Sequence, residues 1–178
     1  MLLQRLMLSF ESCSPEVDET PRPGESPSDL VIRLAEDKAA SVASEYTDAV
    51  VIGSDQLAMF DGQVIGKPGN HRAAHKQLTS FSGQHIKFLT AVSVQCRANG
   101  FSEHYIDYTR VYFRNLQADE IERYLQLDKP YDCAGSFKSE QAGIVLFDRV
   151  CSEDPTALIG LPLIQTAAIL RRAGLVLP

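Results

Sequence analysis

Asp55 follows the apolar run Ala49–Ile52 (AVVI) by way of Gly53-Ser54, and Gln56 stands directly after it. A carboxylate just beyond an inner strand is placed to bind a divalent ion or to take a proton from water, and α/β folds put ligand sites at such strand ends. A turn aspartate that merely bonds its own backbone carries the same local signature. Glu16, Asp18 and Glu19 fall within a proline-rich connection, Pro15 to Pro27 (PEVDETPRPGESP), that holds four carboxylates. Hard cations such as Mg²⁺ need oxygen ligands of this kind, although solvated loop charges look alike in a sequence.

Two lysines stand in unusual places. Lys38 lies on an apolar helical stripe with Leu30, Leu34 and Val42, so it either snorkels or aims a cation into a site. Lys67 sits between Gly66 and Pro68, where a rigid turn can hold a point charge against a phosphate or simply expose it to water. Asp132 to Gln141 (DCAGSFKSEQ) gathers Phe137, Lys138 and Glu140 near a glycine. A ring, a cation and a carboxylate so spaced suit a nucleobase, and equally a polar connection between strands. The histidines His71, His75, His85 and His104 form no motif; His71 and His75 are four apart on one helix but lack an HExxH pattern, and read as surface residues.

The elements that must carry these groups follow from caps and periodicity. Ser26 caps a helix that begins at Pro27 and runs to about Tyr46. Ala49–Ile52 reads as a buried strand ending in a Gly53-Ser54-Asp55-Gln56 turn. Leu57–Phe60 and Gln63–Gly66 form a hairpin around Asp61-Gly62. Asn70 caps a helix to about Phe81; strands follow at Ile86–Gln95 and Tyr105–Phe113, joined near Asn99-Gly100. A helix over Gln117–Leu127, a strand over Ile144–Val150 and a helix over Leu161–Ala173 complete the series. Helices interleaved with strand pairs and single strands predict a single α/β domain with a mixed sheet.

The chain has 178 residues, 22% charged and 44% hydrophobic, which suits one globular domain. Its net charge of −6 argues against broad nucleic-acid binding. Met1–Leu8 is too short to span a bilayer and lacks the basic region of a signal peptide. The cysteines Cys13, Cys96, Cys133 and Cys151 have no CxxC pair and read as buried or half-buried thiols of a cytoplasmic protein.

Taken together, PEVDETPRPGESP, RLAEDKA, VIGSDQ, GKPGN, AGSFKSE and GLPL resemble, in order and spacing, the Maf-type nucleotide pyrophosphatases, from about Leu2 to Ala173. The resemblance implies an elongated mixed sheet flanked by helices, of the inosine triphosphate pyrophosphatase-like kind. It also implies hydrolysis of a nucleoside triphosphate to the monophosphate and pyrophosphate with Mg²⁺ or Mn²⁺, and a homodimer. By matching positions Asp55 is the catalytic carboxylate and metal anchor, Glu19 assists with the metal, Lys38 and Lys67 meet phosphate charge, and Gln56 lies beside the acid. AGSFKSE is similar to the branch acting on 7-methyl-GTP, whereas a dTTP/UTP branch carries a GxYGIQG-like segment there. N7 methylation leaves the purine cationic, so Glu140 would neutralise it and Phe137 would stack on it. Family members begin with a strand and a Ser-Thr-Ser-Pro-x-Arg-like phosphate loop, and here Met1-Leu2-Leu3 aligns inside the helix that follows. The resemblance therefore leads one to expect a domain short of that strand and loop, with weakened phosphate affinity or a binding role without turnover. Thr90-Ala91, where the family has Thr-Gly, and Thr156-Ala157 are smaller departures.

Overall fold

The computed structural model describes residues 2–178. A short 3-10 turn, Leu2–Leu6, precedes an extended segment that leads into the first helix, α1 (Pro27–Glu45). Ser26 caps α1: its Oγ accepts from Asp29 N–H at 3.1 Å and donates to Asp29 Oδ2 at 2.7 Å. Pro27 supplies the pre-set first turn. Of the stripe read from the sequence, Leu30 and Leu34 are buried and Val42 is half-buried; the buried face also takes in Val31, Ala35, Ala39 and Ala43.

The next element corrects the sequence reading. Instead of a short strand and a turn, Val51–Phe60 is one ten-residue strand, β1, and Asp55 stands inside it. Gly53 is there for packing: a Cβ at this position would meet the Ala35 carbonyl oxygen at 2.2 Å and the Ala39 nitrogen at 2.6 Å. A glycine beside an apolar run looked like a turn, yet it marks a close approach of α1 to the strand.

The hairpin expected at Asp61-Gly62 is present. Both residues have positive φ (48° and 75°), the twist a two-residue turn requires, and β1 pairs antiparallel with β2 (Gln63–Ile65), Phe60 opposite Gln63. Next come α2 (His71–Phe81), capped by Asn70, β3 (His85–Cys96) and β4 (Phe101–Phe113). Only the turn Arg97–Asn99 and Gly100 join β3 to β4, too short for anything but an antiparallel pair. Then follow α3 (Ala118–Asp128), β5 (Phe147–Cys151) and α4 (Leu163–Arg172). The strand expected from Ile144 starts three residues later, because Ala142–Leu146 coils into a 3-10 turn.

The sheet order is β2-β1-β3-β4-β5, and β5 pairs antiparallel with β4, Val111 opposite Val150. The β1–β2, β3–β4 and β4–β5 pairs are antiparallel, where the sequence led one to expect a mixed sheet. The α/β architecture agrees with the expectation, while β3 and β4, 12 and 13 residues long, outrun the segments expected for them, β4 starting at Phe101 instead of Tyr105.

Residue packing divides the chain into two compact units. The first takes the chain up to Gln56 with Leu89–Asp107 and Asp154–Pro178. Its core sets Val92 and Val94 with Ile169 and Leu170, and a second cluster sets Ala39 and Ala43 with Val51. The second unit takes Leu57–Phe88 and Tyr108–Glu153, and its centre is aromatic, with Phe81, Phe88, Phe113, Phe137 and Phe147 in edge-on and tilted contact. No helix among the described residues is long and apolar enough to cross a membrane. All four cysteines are free; Cys96 is buried and Cys133 half-buried, while Cys13 and Cys151 are exposed, contrary to expectation.

A candidate acid–lysine–acid site

In the first unit Lys38, at the middle of α1, extends its ammonium to β1. Its Nζ donates to Asp55 Oδ1 at 2.6 Å and lies 3.1 Å from Glu19 Oε1. Three residues singled out from the sequence, far apart in the chain, thus meet at one charge. The Lys38 and Asp55 side chains are 22% and 12% exposed, so neither is a freely solvated surface group, while Glu19 at 64% faces water. Burial alone would lower the Lys38 pKa. The hydrogen bond and charge of Asp55, joined by those of Glu19, more than offset this, and the net shift is upward. Lys38 is therefore a fixed cation at neutral pH and cannot serve as a proton acceptor. An ammonium has three donors. With two engaged by carboxylates, one remains for a ligand oxygen.

Gln56 follows the acid but points its amide elsewhere. Its Nε2 lies 2.9 Å from Thr90 Oγ1, 3.0 Å from Ala157 O and 3.3 Å from Leu158 O. Ser54 Oγ reaches Ala91 O at 2.7 Å and Gly160 O at 2.8 Å. Residues on either side of Asp55 thereby tie β1 to the 157–160 segment, so the acid's backbone is held by its neighbours. Gln56 acts here as a structural tie.

That segment is itself fixed by the buried pair Asp154 and Thr156. Asp154 Oδ1 accepts from Thr156 N–H at 2.9 Å and from Thr156 Oγ1 at 2.6 Å, and Asp154 Oδ2 accepts from Ile164 N–H at 2.6 Å. Thr156 Oγ1 also accepts from Leu163 N–H at 2.9 Å. Together they satisfy the first amides of α4, whose capping position is occupied by Pro162. The departure noted at Thr156-Ala157 is thus a helix cap, and the signal for it was an Asp and a Thr just upstream of an apolar helix.

The other candidates lie in the second unit. Lys67 is exposed between β2 and α2. Its loop is anchored at both ends: Gln77 Nε2 donates to Gly66 O at 3.1 Å, and Gly69 N–H to Tyr131 O at 2.8 Å.

In the DCAGSFKSEQ segment the structure overturns one expectation, that the Phe137 ring stacks on a base. Phe137 is 5% exposed, with ring centroids 4.8 Å from Phe147, 5.5 Å from Phe88 and 5.8 Å from Phe113. A ring packed among three others offers no face for a base. Lys138 donates from Nζ to Asp128 O at 3.2 Å, and its backbone N–H donates to the Tyr124 hydroxyl at 3.0 Å. It meets the carbonyl end of α3, a favourable place for a cation. Glu140 remains exposed, with Ser139 Oγ 3.4 Å from Oε2. The segment turns sharply through Gly135 (φ 81°) and Ser136 (φ 61°), and buried Ser136 Oγ donates to Gln77 Oε1 at 2.5 Å. His71 joins Tyr131 and Glu122 at 3.0 and 2.9 Å, a hydrogen-bonded link between α2 and its neighbours.

Among the described residues no three His, Cys, Asp or Glu side chains converge to hold a metal by themselves. The donors of Asp55 and Glu19 are nevertheless hard oxygens on one cation. Mg²⁺ typically takes one or two carboxylates and completes its shell with water and substrate phosphate. The pair fits that requirement.

Comparison with known proteins bears on what such a site does. The family described as Maf-like protein matches residues 1–173. A protein of Xanthomonas axonopodis pv. citri (strain 306) named 7-methyl-GTP pyrophosphatase is 55% identical over 177 residues, covering 99% of this chain and 92% of its own length. Proteins of the same name from Polaromonas sp. (strain JS666 / ATCC BAA-500) and Albidiferax ferrireducens (strain ATCC BAA-621 / DSM 15236 / T118) are 52% and 49% identical. They cover 99% and 98% of this chain, and 80% and 87% of their own lengths.

Proposed function

The chain belongs to the Maf family, and on that footing we propose that it is a nucleotide pyrophosphatase that hydrolyses 7-methyl-GTP to 7-methyl-GMP and pyrophosphate. Relatives about half identical over nearly the whole chain carry that name. The observation that carries the reading is the Lys38 ammonium between Asp55 and Glu19. Hydrolysis of a phosphoanhydride needs a base for water, positive charge for the phosphoryl oxygens, and oxygen ligands for a divalent ion. This cluster contains all three.

In the proposed reaction, water oxygen bonds to phosphorus as the α–β anhydride bond breaks, and pyrophosphate leaves. Asp55 takes the water proton. Lys38 keeps its charge, hydrogen-bonds the Asp55 carboxylate, and turns its remaining N–H toward a phosphate oxygen. Lys67, raised on its anchored loop, is proposed on the family resemblance alone as a further cation for the polyphosphate. Asp55 and Glu19 would hold Mg²⁺ or Mn²⁺, which when bound offsets charge building on the phosphoryl oxygens. Glu140, exposed beside the turn at Gly135-Ser136, reads the methylated base: a carboxylate both neutralises the cationic ring and accepts from its N1–H and amino group. The protein is proposed to act in the cytoplasm as a homodimer.

The test is pyrophosphate release from 7-methyl-GTP, GTP, dTTP and UTP with Mg²⁺ or Mn²⁺, with Asp55→Asn as control. The reading requires 7-methyl-GTP to be preferred and the control to be inactive. Preference for dTTP or UTP would move the substrate while keeping the chemistry. Release from none of the four, or an active Asp55→Asn, would end the proposal.

A further inference from the structure

Glu19 poses a physical problem that the sequence alone does not reveal. It lies in a connection without regular structure, its side chain is 64% exposed, and yet it stands 3.1 Å from the Lys38 ammonium. Segments without ladder hydrogen bonds are normally mobile and hold a side chain poorly. What restrains this one is Arg33, on α1. Its Nη1 donates to Asp18 O at 3.2 Å and its Nη2 to Thr20 O at 3.1 Å, so the guanidinium grips the carbonyls of the residues immediately before and after Glu19. The same group forks onto Glu25, Nε to Oε1 at 2.6 Å and Nη2 to Oε2 at 3.0 Å, and Nη1 reaches Asp37 Oδ2 at 3.3 Å. Glu25 in turn accepts from Arg22 N–H at 2.9 Å, and Asp18 Oδ1 accepts from Thr20 N–H at 2.9 Å. The Arg33 and Glu25 side chains are only 12% and 8% exposed, which shields the pair from solvent.

We propose that Arg33 is the positioning residue of the site, clamping the 18–25 segment to α1 so that Glu19 is presented to Lys38 and Asp55. This rests on the pyrophosphatase reading for its consequence, though not for its geometry. Arginine is required by shape. Five donors in a fixed plane can meet a carboxylate and two carbonyls at once, and a lysine can satisfy only part of that set. Arg33 and Lys38 lie on the same helix, so one rigid element carries both the clamp and the cation.

Three readouts decide this on Arg33→Ala and Arg33→Lys, each made in the parent and in a Glu19→Gln background. The first is cleavage after Glu19 by a glutamate-specific protease in the Glu19 background, which needs no activity. It should accelerate in Arg33→Ala and be intermediate in Arg33→Lys. The second is binding of Mn²⁺ alone, followed by electron paramagnetic resonance. Arg33→Ala should weaken it by about 10-fold or more, the usual cost of losing a ligand's support, and should add nothing once Glu19 is Gln. The third is pyrophosphate release, where kcat should fall by a similar factor with KM little changed, again without further loss in the Glu19→Gln background. Unchanged cleavage, or Arg33→Ala losses equal in both backgrounds, would overturn the proposal. If no nucleotide is hydrolysed by the parent, the functional reading fails while protease and Mn²⁺ data still decide the clamp. Arg33→Lys provides the folded comparison should Arg33→Ala unfold.

Discussion

Lys38 Nζ lies 2.6 Å from Asp55 Oδ1, across 17 positions of sequence, joining the middle of α1 to the middle of β1. The Asp55 side chain is 12% exposed and that of Lys38 22%, so the pair is largely shielded from water. Removing the cation alone should cost more than neutralising the acid, because Asp55 then keeps a shielded charge without its ammonium, whereas Lys38 without the Asp55 charge still faces Glu19. Lys38→Met should lower the urea midpoint more than Asp55→Asn does. The double variant should recover part of the loss, with a coupling of about 0.5–3 kcal/mol. Strict additivity in the cycle would show that the pair contributes nothing as a pair. Asp55→Asn should also lower pyrophosphate release by roughly 10²–10⁴-fold, as loss of a general base does.

The Arg33–Glu25 fork gives stability a specific pH window. The hydrogen bond from Arg33, aided by that from the Arg22 backbone, lowers the Glu25 pKa from the ordinary 4.5 to about 2. A carboxylate with a depressed folded pKa binds its proton more readily in the unfolded chain. Its contribution is thus complete above about pH 4.5 and is lost as pH falls toward about 2. Urea unfolding of the parent and of Glu25→Gln should differ most at pH 6 and converge across that window. A gap that stays constant down to pH 2.5 would show that the pair does not govern acid sensitivity.

Gly53→Ala tests why β1 is unbroken. The added methyl would stand 2.2 Å from a helix carbonyl and 2.6 Å from a helix amide, both backbone atoms that cannot swing aside. Overpacking of this kind costs about 1–3 kcal/mol, read as a lower urea midpoint. Because α1 carries Lys38 and β1 carries Asp55, a helix pushed outward should also stretch their hydrogen bond and reduce pyrophosphate release in the fraction still folded. A fully stable and active Gly53→Ala would mean that α1 does not pack as closely as described.

Much of this was legible in the chain. The caps at Ser26 and Asn70, the Asp61-Gly62 hairpin and the apolar face of α1 are local signals, and each element formed where its signal lay. Lys38 was readable for the same reason: a cation on an apolar stripe needs a partner. What could not be read depends on approach between distant segments. Gly53 has the same identity whether it turns a chain or admits a helix. Phe137 beside Lys138 and Glu140 looks like a base-binding set until Phe88, Phe113 and Phe147 close around it. Arg33 and Asp154 carry little legible signal, because Asp154 bonds backbone amides and Arg33 divides its hydrogen bonds between carboxylates and carbonyls that only the folded 18–25 segment brings together.

Glu140 and Phe137, three positions apart, should separate specificity from stability. Glu140 is exposed, so Glu140→Gln should leave the urea midpoint in place. It removes a charge-assisted contact to a cationic base, which should lower kcat/KM for 7-methyl-GTP by about 10- to 100-fold and leave GTP little affected. Phe137 is 5% exposed among three phenylalanines, and Phe137→Ala should cost about 3–5 kcal/mol of stability. In the folded fraction the ratio of kcat/KM for the two nucleotides should then match the parent, because the ring supports the turn without touching the base. Paired measurements of midpoint and kcat/KM on the two variants check both halves. Equal losses on both nucleotides in Glu140→Gln would remove Glu140 from base recognition. A changed ratio in Phe137→Leu, the milder core substitution, would put the ring back beside the base.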